Sequence, residues 1–306
     1  MKNQLHVYIY WELFRNLMVR FYRSNIHTSV SQGDIFLIGV PDESKSLAKR
    51  KGTSRAPDII RSAFNEVEFF ERQGKTIPIS PMRGSLDNKQ IIDVGDVKRD
   101  DLYKLIVDLV SLNKIPIIIG GDHSITTIAL RAIGTVLGKI GLFYFDAHPD
   151  FVSSKRDYYG SVLVDSAESI EYKKSMLIAT RAAELEELEN AQRVGLEIVT
   201  PMDLVELGVL RLADKVISRA GGAKKYISID LDCVDPAFAP GVSLPSVGGL
   251  SSIDLIYLVK RLIDFGIVGI DIVELSPDYD INDMTANLAA RIISECIGSI
   301  NVVNVI

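Results

Sequence analysis

Short apolar runs recur along the chain, separated by stretches in which apolar positions return every three or four residues. The runs cover residues 34–40, 91–97, 115–119, 140–145, 176–180, 196–199, 226–231 and 267–273. Ile115-Pro116-Ile117-Ile118-Ile119 is apolar throughout, as a strand buried on both faces must be. Helical spacing appears over 55–64, 102–112, 124–137, 184–193, 251–265 and 282–300. Strands alternating with helices predict βαβ units, and so one mostly parallel sheet covered on both faces. No stretch rich in Pro, Gly or Ser divides the chain, so a single domain is expected over 34–306, preceded by an extension over 1–33. The extension is apolar and aromatic near its start but broken by Glu12, Arg15 and Arg20, and it lacks a signal-peptide cleavage signature. It reads as packing on the body or on a neighbouring subunit; a true start at Met18 is the alternative.

Composition narrows the class. With 306 residues, 47% hydrophobic and 24% charged, the chain is globular and can bury a large core. A net charge of −6 argues against a general nucleic-acid or anionic-membrane binder, which needs a basic face. Cys233 and Cys296 are the two cysteines, too few for a disulfide framework or a thiolate metal site. Both read as reduced thiols in a cytoplasm. No apolar run approaches the roughly 18 residues of a membrane helix.

The chemistry lies in three segments, each directly after an apolar run: Gly120-Gly121-Asp122-His123-Ser124, Asp146-Ala147-His148-Pro149-Asp150, and Ser228-Ile229-Asp230-Leu231-Asp232-Cys233-Val234-Asp235-Pro236. In open α/β sheets, ligands bind outside the carboxyl ends of the strands, where all three fall. Asp146, His148 and Asp150 stand at i, i+2 and i+4, so in extended backbone they share one face; Asp230 and Asp232 repeat the spacing. Taken singly, each segment has a plainer reading as a turn or helix-cap Asp or a structural His. Together they offer four carboxylates and two imidazoles, with only His6 and His27 left elsewhere. Such a set suits a pair of divalent cations that accept oxygen and tolerate imidazole, Mn²⁺ before Zn²⁺ or Mg²⁺. A water held between two such ions is acidified toward neutrality. Asp122 and Asp235 read as turn residues or as outer carboxylates that orient a ligating His. The acidic run from Glu184 to Glu189 reads as a solvated helix face, and Cys233 as an inert buried residue.

These three segments resemble the signatures of the ureohydrolases, the family of arginase, agmatinase and formiminoglutamase. Supporting matches are Gly39-Val40-Pro41, Arg55-Ala56-Pro57, Ala239-Pro240-Gly241, Gly248-Gly249-Leu250 and Asp271-Ile272-Val273-Glu274-Leu275-Ser276-Pro277. The resemblance implies an arginase-like three-layer αβα sandwich and two Mn²⁺ per subunit. One ion would be held by His123, Asp146, Asp150 and Asp230, and the other by Asp146, His148, Asp230 and Asp232. A bridging hydroxide would attack the guanidinium carbon, giving urea and a primary amine, while Glu274 would bind the guanidinium. Ser276-Pro277-Asp278-Tyr279-Asp280 and Met284-Thr285-Ala286 are most similar to agmatinases. That implies agmatine as substrate, putrescine as product, a place in polyamine synthesis, and a homotrimer or homohexamer.

One departure stands out. The family usually places a proton-shuttling His-Gly pair about ten residues beyond the Asp-Ala-His-x-Asp segment, where this chain reads Tyr158-Tyr159-Gly160. Three expectations follow. Tyr159, Tyr158 or solvent takes the shuttle role. Alternatively, Lys155 and Arg156 select an anionic tail, as in guanidinobutyrate or formiminoglutamate, unless they point to solvent paired with Asp157. Arginase activity, or a non-catalytic metal-binding homologue, completes the alternatives.

Overall fold

The computed structural model of the chain describes residues 33–86 and 89–301. The N-terminal extension, with His6 and His27, lies outside the described residues except for Gly33. Eight strands form one sheet: β1 (Ile35–Gly39), β4 (Ile91–Asp96), β5 (Ile115–Ile119), β6 (Gly141–Phe145), β7 (Met176–Ile178), β8 (Glu197–Val199), β9 (Lys225–Asp230) and β10 (Gly269–Val273). Their order is β4-β1-β5-β10-β9-β6-β7-β8. Among the described residues every pairing in this sheet is parallel, in line with the mostly parallel sheet expected.

Period-2 alternation sends each strand's apolar residues to both faces. Ile35, Leu37, Phe143, Phe145, Ile227 and Ile229 join one core; Phe36, Ile38, Leu142, Tyr144 and Tyr226 join the other. Helices Ala56–Val67, Val209–Ala220, Ser252–Ile263 and Met284–Ser299 bury their apolar sides in the first core. Helices Arg99–Ser111 and Ile125–Leu137 bury theirs in the second. This is the expected three-layer αβα architecture. Among the described residues no helix is long and apolar enough to cross a membrane.

Several elements differ from the expectation. Helix Arg99–Ser111 starts three residues before 102. Its first turn, Arg99-Asp100-Asp101, is polar and silent in an apolar count, although acidic residues suit a helix N-terminus. Helices Pro201–Leu207 and Val209–Ala220 were not anticipated. The first is set by Thr200, whose hydroxyl accepts from Asp203 N while the Asp203 carboxylate accepts from Thr200 N. A small hairpin, β2 (Phe69–Arg72) with β3 (Lys75–Pro78), also escaped the pattern. It turns on Gln73 and Gly74, both at positive φ.

The order places β5, β10, β9 and β6 side by side at the centre. Their carboxyl ends deliver the segments 120–124, 274, 230–232 and 146–150 to one place.

Candidate metal centre

The loop after β5 is fixed by contact with backbone. A side chain at Gly121 would put its Cβ 1.8 Å from the Asp42 carbonyl oxygen, which accepts from Asp122 N at 2.9 Å. Only glycine permits that approach. Asp122 is fully buried and holds the turn, accepting from Ser124 N and Lys45 N. The next residue, His123, is thereby set against the ends of β9 and β6.

Three of the four carboxylates follow one rule: one oxygen is tied to a backbone N–H and the other is turned to an imidazole. Asp146 Oδ1 accepts from His148 N (2.6 Å), Asp230 Oδ1 from Asp232 N (2.7 Å) and Asp232 Oδ1 from Ala147 N (3.0 Å). The second oxygens of Asp146 and Asp230 lie 3.0 and 3.3 Å from His123 Nδ1, and that of Asp232 lies 3.0 Å from His148 Nδ1. Asp150, held at φ +48°, brings Oδ2 within 3.1 Å of His123 Nδ1. Asp146 belongs to both groups, since its Oδ1 is 3.4 Å from His148 Nδ1. All six candidate ligands are therefore brought together around two imidazole nitrogens, with Asp146 shared.

The protons at His123 can be assigned by elimination. Ser228 Oγ donates to Asp271 Oδ1 at 2.6 Å, so it must accept from His123 Nε2 at 2.9 Å. Tyr144 donates its hydroxyl to Asp150 Oδ2 at 2.6 Å, so its oxygen is only an acceptor toward His123 Nδ1 at 3.0 Å. His123 Nδ1 then faces four acceptors: the Tyr144 oxygen and oxygens of Asp146, Asp150 and Asp230. Only a positive charge at that point reconciles them. Burial works against a charge on His123, but the three carboxylates outweigh it and hold its pKa well above the ordinary imidazole range. His148 behaves alike: burial opposes its charge, yet Asp146 and Asp232 keep it at about 12. Burial, then Asp232, pushes Asp146 up to about 6.

The donor set also passes a test for a metal. Asp146 Oδ2 is buried and, although 3.0 Å from His123 Nδ1, makes no hydrogen bond of proper geometry, whereas buried carboxylate oxygens are almost always paired. Two trios, His123–Asp146–Asp150 and Asp146–His148–Asp232, each bring ligand atoms within 4.8 Å of one another. Nitrogen and carboxylate donors without thiolate suit Mn²⁺-like ions. The His148 side chain is 25% exposed while the four carboxylates are at most 7% exposed, so the centre opens on the His148 side.

Glu274 closes the centre from β10. It sits at φ +68°, a left-handed conformation that non-glycine residues rarely hold, and is buried. Its Oε1 accepts from His123 N at 2.7 Å and its Oε2 accepts from Ser243 Oγ. Burial, followed by Asp122, pushes its carboxyl up to about 8. Tyr159 and Tyr158 are half-buried, with rings 5.6 Å apart at right angles. Burial and then the charge of Asp150 push both phenols up to about 12; Glu274 adds to this at Tyr159. The pairing expected around Asp157 is corrected: Asp157 binds Lys45 (2.5 Å), Arg156 binds Asp165 (2.7 Å), and Lys155 lies 4.8 Å over the Tyr158 ring.

Sequence reasoning missed several supports. Tyr144 lies in an apolar run and carries no signal of its own, and Ser228 and Asp271 stand in family-like segments that give them no role. Asp271 is fully buried and accepts from Ser228, Thr126 and Tyr226 hydroxyls. Glu187, read as part of a solvated face, is buried and accepts from Phe151 N beside Asp150 and from Glu184 N. Asp235 is a turn residue, accepting from the N–H groups of Ala237, Gly248 and Gly249. Both cysteines are buried and free.

Comparison with known proteins places this geometry in context. A model described as the arginase family matches residues 33–298. The agmatinase of Neisseria meningitidis serogroup C is 31% identical over 278 residues, covering 87% of this chain and 86% of that protein. The solved proclavaminate amidino hydrolase from Streptomyces clavuligerus superposes with a TM-score of 0.80 at 29% identity, covering 93% of this chain and 97% of the other. Agmatine ureohydrolase of Thermoplasma volcanium gives 0.78 at 29% identity, covering 93% and 95%.

Proposed function

The chain belongs to the arginase family, and we propose that it hydrolyses the C–N bond of a small linear guanidine, releasing urea and a primary amine. Agmatine, giving putrescine, is the preferred substrate of this reading. The observation that carries it is the pair of imidazole nitrogens ringed by acceptors, with Asp146 Oδ2 left without a hydrogen bond.

His123, Asp146, Asp150 and Asp230 would hold one Mn²⁺; Asp146, His148, Asp230 and Asp232 would hold the other. When bound, the two ions supply a water acidified toward neutral pH. The chain's own residues do the rest. Ser228 fixes the tautomer of His123, and the backbone N–H bonds to Asp146, Asp230 and Asp232 fix the carboxylates. Glu274 binds the guanidinium. Its raised pKa falls beside a cation, so a cationic substrate completes its ionisation. Tyr159, with Tyr158 as the alternative, donates a proton to the leaving amine. A phenol held at about 12 is a poor donor–acceptor near neutrality, and neighbouring cations bring it down. The protein works in the cytoplasm as a homotrimer or homohexamer.

A second reading rests on Lys155 over Tyr158, which would favour a guanidine with an anionic tail. Urea release by the Mn²⁺-loaded protein on agmatine, arginine and 4-guanidinobutyrate separates the two. Agmatine should be turned over fastest; 4-guanidinobutyrate leading would install the second reading. No urea from any of them, with two ions bound, would defeat both. Equal kcat for the double Tyr158→Phe, Tyr159→Phe variant would remove the tyrosines from the reaction.

A further inference from the structure

Beside the centre lies a guanidinium whose hydrogen-bond acceptors, among the described residues, are all backbone carbonyls. Arg181 Nε donates to Val247 O at 3.1 Å. Its Nη1 donates to Ala179 O at 3.0 Å and Cys233 O at 3.4 Å, and its Nη2 to Asp232 O at 2.7 Å and Ser246 O at 2.5 Å. Five N–H groups thus meet five carbonyls, which is the full donor capacity of the side chain. The backbone joins in. Arg181 N and Ala182 N both donate to Ala147 O at 2.9 Å, and Ala147 N donates to Asp232 Oδ1. Ala147 lies between Asp146 and His148.

This arrangement is built for one side chain. Ala179 is held at φ +77°, a left-handed conformation that non-glycine residues rarely adopt, and its carbonyl is one of the five acceptors. At Gly249, an added Cβ would meet Asp235 N at 2.5 Å and Val234 C at 2.6 Å, and then Arg181 Nη2 at 2.7 Å. Lysine has three donors on a point charge and lacks the planar fork, so it would leave carbonyls unpaired.

The bonds are unevenly distributed. The guanidinium reaches the 231–234 turn, which carries Asp232, while the backbone N–H groups of Arg181 and Ala182 reach Ala147, between the shared Asp146 and His148; among the described residues no hydrogen bond of Arg181 runs to the 120–124 loop that carries His123. We infer that Arg181 is a positioning residue for the His148–Asp232 half of the metal centre, locking it to the 246–247 loop. The inference rests on the metal reading above. It adds that the two halves are supported by different parts of the fold and can be loosened separately.

The test is Mn²⁺ binding to the full chain, by calorimetry and by the electron paramagnetic resonance of bound Mn²⁺. Arg181→Lys is compared with wild type and with Arg219→Lys. Arg219 also donates to several carbonyls, those of Ser175, Tyr172 and Gly195, on segments that carry no candidate ligand. Arg181→Lys should keep one tight Mn²⁺ and weaken the second by about 10–100-fold, the range found when outer supports of a ligand are removed. Its spectrum should change from that of a coupled pair to that of an isolated ion. Arg219→Lys should bind two ions as wild type does. Should Arg181→Lys fail to fold, Arg181→Met, which keeps the apolar stem and loses every side-chain donor, serves with the same readings. Two unchanged affinities, or both ions weakened in parallel, overturn the inference. Wild-type protein that binds no Mn²⁺ overturns the metal reading and the inference with it.

Discussion

Two clusters of buried charge lie in the same sheet and are finished in opposite ways. Beside β1 and β4, the fully buried Arg61 has a carboxylate against each nitrogen. Nε and Nη2 meet the two oxygens of Asp93 at 3.1 and 3.2 Å, and Nη1 meets Asp96 at 2.5 Å. At the centre, four carboxylates share two imidazoles, four acceptors crowd His123 Nδ1, and Asp146 Oδ2 has no hydrogen bond. In the first cluster every nitrogen of Arg61 is matched by a carboxylate oxygen of the chain, and the cluster is part of the core. The second leaves a buried carboxylate oxygen without a hydrogen bond and crowds acceptors on one nitrogen, a pattern that suits a cation from outside the chain. Burial alone would not separate them, because both are almost wholly buried; the hydrogen-bond account does.

The contrast can be broken most decisively at Asp146. Asp146→Asn should abolish the binding of two Mn²⁺ and lower urea release by at least about 10²-fold, with the far-ultraviolet circular dichroism retained. Wild-type turnover from that variant would show that the unpaired oxygen has no metal role. Arg61→Met should do the reverse. It strips the counter-charge from Asp93 and Asp96 and should cost about 3–5 kcal/mol in urea unfolding, while the folded fraction still binds two ions. A loss of metal in step with stability would mean that the two clusters are not independent.

A smaller effect comes from the ions themselves. At a hundredfold excess over Kd, Mn²⁺ should stabilise the wild type by about 2.7 kcal/mol for each ion bound, and chelation should remove that gain. Asp146→Asn should show no such response. The smallest effect is expected at Glu187, whose carboxyl burial pushes up to about 7. A raised acid favours the folded state only while protonated. Its contribution is full below the ordinary carboxyl pKa of about 4.3 and is lost as pH rises through 7. Metal-free Glu187→Gln should therefore show a flatter Tm profile between those values than wild type. An identical slope would place the titration elsewhere.

What the sequence made legible follows from what leaves a periodic trace. The strands 115–119 and 140–145 are continuous apolar runs, and β5 and β6 lie there. The candidate ligands follow strand ends at spacings of two, and the fold gathers all six. Asp271 left no trace of its own, because a polar residue inside an apolar run marks a buried partner only when the neighbouring strands are known. Glu187 misled for the same reason: its run is acidic throughout, and only tertiary contact with Phe151 N distinguishes it from Glu186 and Glu189. The Thr200-Pro201-x-Asp203 start and the Gln73-Gly74 turn were readable, since capping boxes and type I′ turns have local chemistry.

The order of the sheet has a consequence for how the protein is made. β5 and β6 follow one another in the chain and carry His123, Asp146, His148 and Asp150 at their ends, yet β10 and β9 stand between them. During synthesis those four side chains leave the ribosome before the strands that complete their surroundings. Inserting β9 and β10 closes long loops, and such non-local pairing is slow. Until it happens, the two halves of the sheet present unpaired apolar edges to each other and to any neighbouring chain. A nascent chain thus carries four of the six candidate ligands well before it can present them as one centre, and on the metal reading the final insertion step would set when loading can begin.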